Sequence, residues 1–358
     1  MDIFTHGLAS IALARGFFPR TKKAGLAFAV VAGTIADVDW LSSYFGPSPF
    51  LAWHGTYLHS ILAAILIAGA LPAILVASVL WGGLGIELEV QPAEVLVDDP
   101  RLVRNRALRK LVLPLFFASL LAALLHIAMD ACQSGGVMLL RPFDLRRFAA
   151  DWLPGIDPWI LTILIGAIAI PELLRLVGSE IGAKSKKPHG QTGAIIGLVL
   201  LFVYVGARAT LHSDVLAMMS SRNIHGETAH RVWAYPEPLS LFTWYGVAET
   251  ESSLDEMDVN ATDARDFDPD SSVRNFKPEA SPALSAARNT EVAKRFLAAA
   301  QIPKASVEKT EAGYVVVLRD LRYAAAGERK HEVAAYFEFD RANRLTTQEL
   351  VWARELRK

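Results

Sequence analysis

The sequence contains a single cysteine, Cys132, among its 358 residues. One thiol excludes an intramolecular disulfide and a zinc site built on several thiolates. The chain also has almost no net charge, with a formal balance of −1, and no basic patch with interleaved aromatic residues. We therefore predict no nucleic-acid partner, because the electrostatic attraction on which such binding depends is missing.

Long runs without charge are the most informative feature that is present. Ile61–Leu80 contains no charged residue, and Leu111–Met129 contains no Asp, Glu, Lys or Arg. Thr192–Ala207 is also uncharged, Trp159–Val177 carries only Glu172 and Arg175 near its end, and Leu26–Leu41 is apolar until two aspartates interrupt it. A helix of about 20 apolar residues crosses the roughly 30 Å of hydrocarbon in a bilayer. The sequence therefore predicts a mainly α protein, a polytopic transmembrane helical bundle of about five helices.

Charged residues are concentrated in the last part of the chain, from about Glu249 onward. A composition of 52% hydrophobic and 20% charged residues suits a membrane half joined to a water-soluble half. Apolar alternation in Tyr314–Leu318 and Val333–Phe339 predicts strands, and Thr290–Ala300 is typical of a helix. The acidic stretch Asp255–Pro282 is interpreted as a long loop. The expected organisation is a bundle over residues 1–211, a linker helix over 212–238 and a C-terminal soluble α+β domain over 239–358.

The distribution of Lys and Arg predicts the orientation of the bundle. Alternate connections hold three such residues in Arg20–Lys23, five in Arg101–Lys110 and three in Lys184–Lys187. The opposite connections hold none in Ser42–Tyr57 and three in Ala131–Asp157. Because cytoplasmic loops carry the excess of positive charge, the first set is expected in the cytoplasm. The opposite loops and the C-terminal domain are then expected on the periplasmic side.

Histidines and aspartates gather at the predicted outer ends of the helices. His126 and Asp130 are four residues apart, so both project from one helical face. Imidazole and carboxylate suit Zn²⁺, Mn²⁺ or Fe²⁺, and the lack of thiolates favours a catalytic over a structural site. We predict a divalent metal site, with zinc as the expected ion. The candidate ligands are His6, Asp37, Asp39, His54, His59, His126 and Asp130.

Asp37 and Asp39 are two residues apart, so they cannot share one face of a regular helix. At a helix end, one can bind metal while the other orients or deprotonates a water, and Asp39 is the candidate base or second bridging ligand. Alternatively, both cap a helix end or pair with Arg141, Arg146 or Arg147 in the outer loop. Arg141 and Arg147 are also candidates for steadying an anionic substrate group.

At these residues the sequence resembles the YdjM-like bacterial inner-membrane proteins, a family of predicted metal-dependent hydrolases. The matching segments are DIFTHGLASIALAR (Asp2–Arg15), AGTIADVDWL (Ala32–Leu41), HGTYLHS (His54–Ser60), HIAMDACQSGG (His126–Gly136) and RPFDLRRFAADWLPGIDPW (Arg141–Trp159). The family usually has H-R-G-x-T-H-S in the third segment, so this chain lacks that arginine but keeps both histidines. The resemblance extends over nearly the whole chain, including the trailing soluble domain, and implies a bacterial inner (cytoplasmic) membrane location, with membrane lipids as neighbours.

A weaker resemblance is to the zinc-dependent phospholipase C and S1/P1 nuclease group, in which His, Asp, His and HxxxD follow in the same chain order. The second HxxxD/E of that group has no counterpart here, so a full three-metal site is not expected. The similarity favours phosphoester substrates, including lipid head groups. The predicted function is a membrane-embedded metal-dependent hydrolase that uses a metal-activated water on a phosphoester or other ester. The alternative is a non-enzymatic membrane protein whose structural metal or ion-pair cluster holds the bundle that displays the soluble domain.

Overall fold

The fold was analysed on a computed structural model, which describes residues 1–80, 100–180, 190–262, 268–324 and 332–357. The predicted cytoplasmic turn Lys184–Lys187 lies outside these residues. The N-terminal part is helical, and its helices are α1 (Ile3–Phe17), α2 (Lys22–Thr34), α3 (Pro47–Trp53), α4 (Ile61–Leu80), α5 (Pro100–Ala131), α6 (Pro158–Glu180) and α7 (Gln191–Ser220). A 3₁₀ helix, Ile35–Phe45, continues α2 without a break.

Five helical segments among the described residues are long and apolar enough to cross a membrane. They are Pro19–Phe45, Ile61–Ser78, Lys110–Ala131, Pro158–Leu176 and Gln191–Ser220. This confirms the expectation of about five spanning helices, which rested on uninterrupted apolar length. Helix α1 has 15 residues, and it packs against α2, α5, α6 and α7.

Small side chains bring α1, α2 and α5 close together. Ala14, Ala29 and Ala118 form one buried cluster across these three helices. A Cβ atom at Gly33 would overlap the Ser10 hydroxyl, so only glycine permits this approach of α2 to α1. In lipid, where apolar burial drives helix association weakly, such small residues allow the backbones to pack. The close packing brings together the ends of these three helices near which His6, Asp37 and Asp130 lie.

The C-terminal part contains two four-stranded antiparallel sheets, in the orders β3-β4-β5-β6 and β10-β9-β8-β7, and a small β1-β2 hairpin. The strands are β1 (Asn223–Ile224), β2 (Glu227–Thr228), β3 (Arg231–Pro236), β4 (Thr243–Glu249), β5 (Ser253–Asn260), β6 (Val273–Phe276), β7 (Pro303–Lys309), β8 (Gly313–Asp320), β9 (Val333–Asp340) and β10 (Leu345–Trp352). Helices α8 (Pro282–Arg288) and α9 (Glu291–Ala299) cover the second sheet. A mostly helical membrane part with a sheet-rich soluble domain confirms the predicted fold class.

The strands predicted at Tyr314–Leu318 and Val333–Phe339 lie within β8 and β9, and the helix predicted at Thr290–Ala300 is α9. The long loop predicted over Asp255–Pro282 is wrong, because most of β5 and all of β6 fall inside it. Acidic residues on the exposed side of β5 mask the alternation that places Met257 and Val259 in the core.

The linker helix predicted over 212–238 is also wrong. Helix α7 continues to Ser220, and β3 already begins at Arg231. Val215 and Met219, in the last turns of α7, pack on Trp244 of the first sheet. The apolar side of these turns therefore belongs to the core of the C-terminal domain, and the membrane helix enters that domain directly.

Candidate metal centre

Four ligand-type side chains meet at one end of the bundle. His6 lies on α1, Asp37 on the 3₁₀ segment after α2, and His126 and Asp130 on α5. One ligand atom from each lies within 4.8 Å of every other. His6, His126 and Asp130 are buried and Asp37 is half-buried. These four residues are called the metal centre below.

Asp130 is the hub of the metal centre. Its Oδ1 atom lies 3.1 Å from His6 Nε2, and its Oδ2 atom lies 3.2 Å from His126 Nε2. Oδ2 is also 3.2 Å from His59 Nε2. The spacing of four residues on α5 thus places an imidazole and a carboxylate side by side, and three imidazoles converge on one buried carboxylate.

The ring of His126 is oriented by the backbone of α2. Its Nδ1 atom lies 2.9 Å from the carbonyl oxygen of Gly33. Because a carbonyl only accepts, Nδ1 donates this hydrogen bond, and in a neutral ring the lone pair is then on Nε2, which faces the centre. A hydrogen bond of this kind commonly fixes the tautomer of a metal-binding histidine.

The Nε2 atom of His126 is buried and has no hydrogen-bond partner among the described residues. Its neighbours are carboxylate oxygens, at 3.2 Å on Asp130 and 3.8 Å on Asp37. Lone pairs that face one another repel, so a positive charge between them, either a proton or a metal ion, stabilises this arrangement. A divalent cation supplies that charge, and imidazole with carboxylate is a donor set that suits zinc and similar ions. The residues present therefore fit a metal ion.

Asp39 is directed away from the metal centre. Residues two apart in a 3₁₀ helix project about 120° from each other, since each turn contains three residues. Asp39 Oδ1 lies 2.9 Å from His54 Nδ1, and Oδ2 accepts a hydrogen bond from the Gly55 backbone N–H at 3.0 Å. With both oxygens engaged, Asp39 is better placed to orient the His54 loop than to act as a free base. Its roles as base or second ligand stay predictions.

His59 joins Asp39 to the metal centre. Its Nδ1 atom lies 3.1 Å from Asp39 Oδ2, and its Nε2 atom lies 3.2 Å from Asp130 Oδ2. Burial lowers the pKa of His59, but hydrogen bonds and attraction from Asp130 and Asp39 outweigh burial and raise this pKa to about 9. The raised pKa favours the imidazolium form of His59 between the two carboxylates, and a metal that bound His59 would displace its proton. Asp39, His54 and His59 are called the Asp39 arm below.

The C-terminal domain contacts the Asp39 arm through aromatic rings. The His54 ring stacks on Phe50 of α3, with centroids 4.7 Å apart, and Phe50 in turn lies 5.4 Å from the Trp352 ring of β10. Phe50, Trp352 and Val333 form a buried apolar cluster between the two halves of the chain. The soluble domain thus supports a candidate ligand from outside the bundle.

Arg147 forms hydrogen bonds to both of the loops that flank the metal centre. Its guanidinium donates to the carbonyl oxygens of Gly135 at 2.9 Å, Gly136 at 3.0 Å and His54 at 3.3 Å. Gly55 has a φ of +68°, and a Cβ there would come within 2.8 Å of Arg147 Nη1. A glycine is therefore required after His54 both for the backbone conformation and for the approach of this arginine.

All seven residues proposed from the sequence lie at this end of the bundle, four in the metal centre and three in the adjoining Asp39 arm. Sequence reasoning missed the Gly33 carbonyl, the Phe50–Trp352 contact and the contact of Arg322 with Ser134 described below. No local pattern indicates any of these contacts, because each joins segments far apart in the chain.

The fold and the site define a polytopic membrane protein with a buried cluster of imidazoles and carboxylates that could hold a metal ion. The chain belongs to the YdjM inner membrane protein family, whose model matches residues 1–215. The match confirms the resemblance over the whole bundle and covers every candidate ligand, while the C-terminal domain lies beyond it. Searches of curated proteins and of solved structures gave no match.

Proposed function

We propose that this protein is a membrane-embedded hydrolase that uses a divalent metal, with zinc as the first candidate. The observation that carries the proposal is the buried Nε2 atom of His126, which faces carboxylate oxygens and has no hydrogen-bond partner among the described residues. Together with His6, Asp37 and Asp130, it forms a donor set compact enough for one ion. The substrate class is a phosphoester or other ester at the membrane surface.

A bound ion of this kind polarises a phosphoryl or carbonyl oxygen and lowers the pKa of a bound water to about 7. The protein residues divide the remaining tasks. His6, His126, Asp37 and Asp130 hold the ion. Asp37 Oδ2 is buried and has no hydrogen-bond partner among the described residues, so it is available to accept a proton.

The outer rim of the site carries exposed aromatic side chains, which supports action at the membrane surface. Tyr44 and Phe45 end the 3₁₀ segment, and Trp53 and Tyr57 flank the His54 loop; all four are exposed. Trp and Tyr concentrate at the boundary between lipid and water. A site at that depth is accessible to lipid head groups, so we include membrane lipids among its partners.

Hydrolysis is tested with purified protein in phosphatidylcholine nanodiscs, using p-nitrophenyl phosphate, bis-p-nitrophenyl phosphate and p-nitrophenyl acetate. We expect at least one substrate to be cleaved, the activity to stop on chelation and to return with Zn²⁺ or Mn²⁺. Asp37→Asn should lower kcat by about 100-fold or more if it accepts a proton during the reaction. His225→Gln, in the C-terminal domain, is the control and should keep full activity.

The competing function is a structural cluster without catalysis, and the position of His59 between Asp39 and Asp130 favours it. A metal-loaded protein that cleaves none of these substrates, yet loses thermal stability on chelation, would support this alternative. Activity that survives complete metal removal would contradict both proposals.

We further propose that the metal centre and the C-terminal domain face the periplasm. The unequal count of Lys and Arg in alternate connections supports this orientation. Alkaline phosphatase fused after Lys358 should be active, because this enzyme folds in the periplasm. Green fluorescent protein fused at the same point should not fluoresce, because it matures in the cytoplasm. Fusions at Arg104 should give the opposite result, which makes each site the control for the other. The reverse pattern at both sites would place the metal centre on the cytoplasmic face.

A further inference from the structure

Two arginines from opposite halves of the chain bind consecutive carbonyl groups of one loop. Arg322, in the 3₁₀ turn that follows β8, donates from Nη1 to the Ser134 carbonyl oxygen at 2.9 Å. Arg147 takes the next two carbonyl oxygens, those of Gly135 and Gly136. This loop begins four residues after Asp130, and Arg147 also donates to the carbonyl oxygen of His54, so both guanidinium groups lie on the loops that adjoin the metal centre.

A third arginine, Arg141, is close enough to Arg147 to repel it electrostatically. The Arg141 guanidinium covers the Tyr57 ring at 3.9 Å from its centroid, and its only hydrogen bond among the described residues reaches the Met138 sulfur. Burial lowers the pKa of Arg147, and repulsion from Arg322 and Arg141 lowers it further, against attraction from Tyr323 and Asp39. All three side chains are cationic guanidinium groups. They form a cluster of like charges, called the guanidinium cluster below.

Carboxylates do not fully balance this charge. Arg322 pairs with Asp320 at 3.0 Å, and the neighbouring Arg146 pairs with Asp144 at 2.7 Å. By contrast, Arg141 and Arg147 have no carboxylate oxygen within 4.0 Å in the described part of the chain. Like charges held together in a partly buried place are costly unless an anion neutralises them.

Donors remain available for such an anion. A guanidinium has five N–H groups. Arg147 uses three hydrogen bonds to carbonyl oxygens, and Arg141 donates only to a weak sulfur acceptor in the described part of the chain. The planar fork of N–H groups matches phosphate oxygens, which it binds in pairs.

We propose that Arg141 and Arg147, in the guanidinium cluster, form a subsite that binds the anionic phosphate group of the substrate beside the metal centre. Arg322 is paired with Asp320 and holds the Ser134 carbonyl, so it positions the loop that Arg147 also binds. The inference rests on the proposed hydrolase function and narrows its substrate class to phosphorylated compounds. It also assigns a role to the C-terminal domain, which supplies Arg322 to position this loop from outside the family-matched region.

The test measures binding of inorganic phosphate to the metal-loaded protein in phosphatidylcholine nanodiscs by isothermal titration calorimetry. Arg141→Gln and Arg147→Gln should each weaken phosphate binding by about 10-fold or more, since each removes charge-assisted hydrogen bonds. Arg146→Gln is the matched control, because its charge is already paired with Asp144 and its affinity for phosphate should be unchanged. Metal content is measured in every variant and should remain that of the native protein.

Arg147→Lys distinguishes phosphate binding from a purely structural effect. It keeps the positive charge but loses the planar guanidinium group that donates to three carbonyl oxygens. It should retain more phosphate affinity than Arg147→Gln. Equal losses in both variants, or loss of metal from either, would assign Arg147 to loop structure alone and overturn the subsite. Absence of phosphate binding in a native protein that holds metal would also overturn it, while leaving the hydrolase proposal intact.

The source of the phosphate group is distinguished by adding phosphatidic acid to the nanodiscs. If a lipid head group is the natural occupant, phosphatidic acid should compete with inorganic phosphate in the native protein and not in Arg141→Gln. If the occupant is a soluble phosphoester, glycerol 3-phosphate should compete and phosphatidic acid should not. Either result supports the subsite, whereas competition that is the same in Arg141→Gln and in native protein contradicts it.

Discussion

Replacing His126 and Asp130 together by alanine is expected to remove the metal from the protein. Native protein should carry at least about one equivalent of zinc or another transition ion, and the double variant less than about a tenth of that, because two of four ligands are gone. Asp130 is also the hub on which His6, His59 and His126 converge, so its loss separates the remaining donors. Metal content is measured by mass spectrometry after purification in metal-free buffer.

The control for this experiment is Asp144→Ala with His225→Ala, which removes an aspartate and a histidine outside the metal centre and the Asp39 arm. Helical content by circular dichroism and elution as a single species show whether both proteins fold. If the alanine variant does not insert into the membrane, metal content is measured instead in His126→Gln and Asp130→Asn, which approximately preserve side-chain size. Unchanged metal content in a folded ligand variant would show that the ion, if any, binds elsewhere.

Replacing Arg208 by alanine is expected to loosen the C-terminal domain from the bundle. Arg208 is 1% exposed, and its guanidinium donates to the carbonyl oxygens of Trp152 and Leu241. It also lies 4.3 Å from the Trp244 ring centroid. Alanine leaves these half-buried carbonyls without their donor, at a cost of at most about 1–3 kcal/mol each, besides the lost contact with the ring.

The measurements are the midpoint of thermal unfolding in detergent and the rate of limited proteolysis at the domain junction. Arg208→Ala should unfold at a lower temperature and be cut faster, and Arg208→Lys should be intermediate, since it keeps the charge but not the planar fork. Arg231→Ala, at an exposed position on β3, is the matched control and should resemble native protein. Native resistance in Arg208→Ala would mean that other contacts hold the domains together.

The contacts of Arg208 and the Phe50–Trp352 pair show that the soluble domain packs directly against the bundle. The sequence suggested a separate unit that follows a linker, but the last membrane helix enters its core through Val215 and Met219. The second sheet rests on α3 next to His54. Any effect of the domain on the site is therefore expected to act through these contacts and through Arg322.

The spanning helices could be predicted because apolar length is a local property, and lipid requires each segment to satisfy its own backbone. The pair formed by His126 and Asp130 was predictable for a similar reason, since helical periodicity alone places residues four apart on one face. The different directions of the Asp37 and Asp39 side chains could be predicted only in part. Their spacing excludes a shared helical face, but only the 3₁₀ geometry decides which one turns toward His126.

Hydropathy and helical periodicity therefore determined, from the sequence alone, that this is a helical membrane protein with candidate ligands at the helix ends. The tertiary structure decided which ligands share one centre, because this depends on the relative positions of α1, α2 and α5 along their axes. It also decided that the Gly33 carbonyl orients His126 and that Arg322 reaches Ser134 from 188 residues away. Such contacts leave no local pattern, since each arises from the packing of whole elements and neither partner signals the other in sequence.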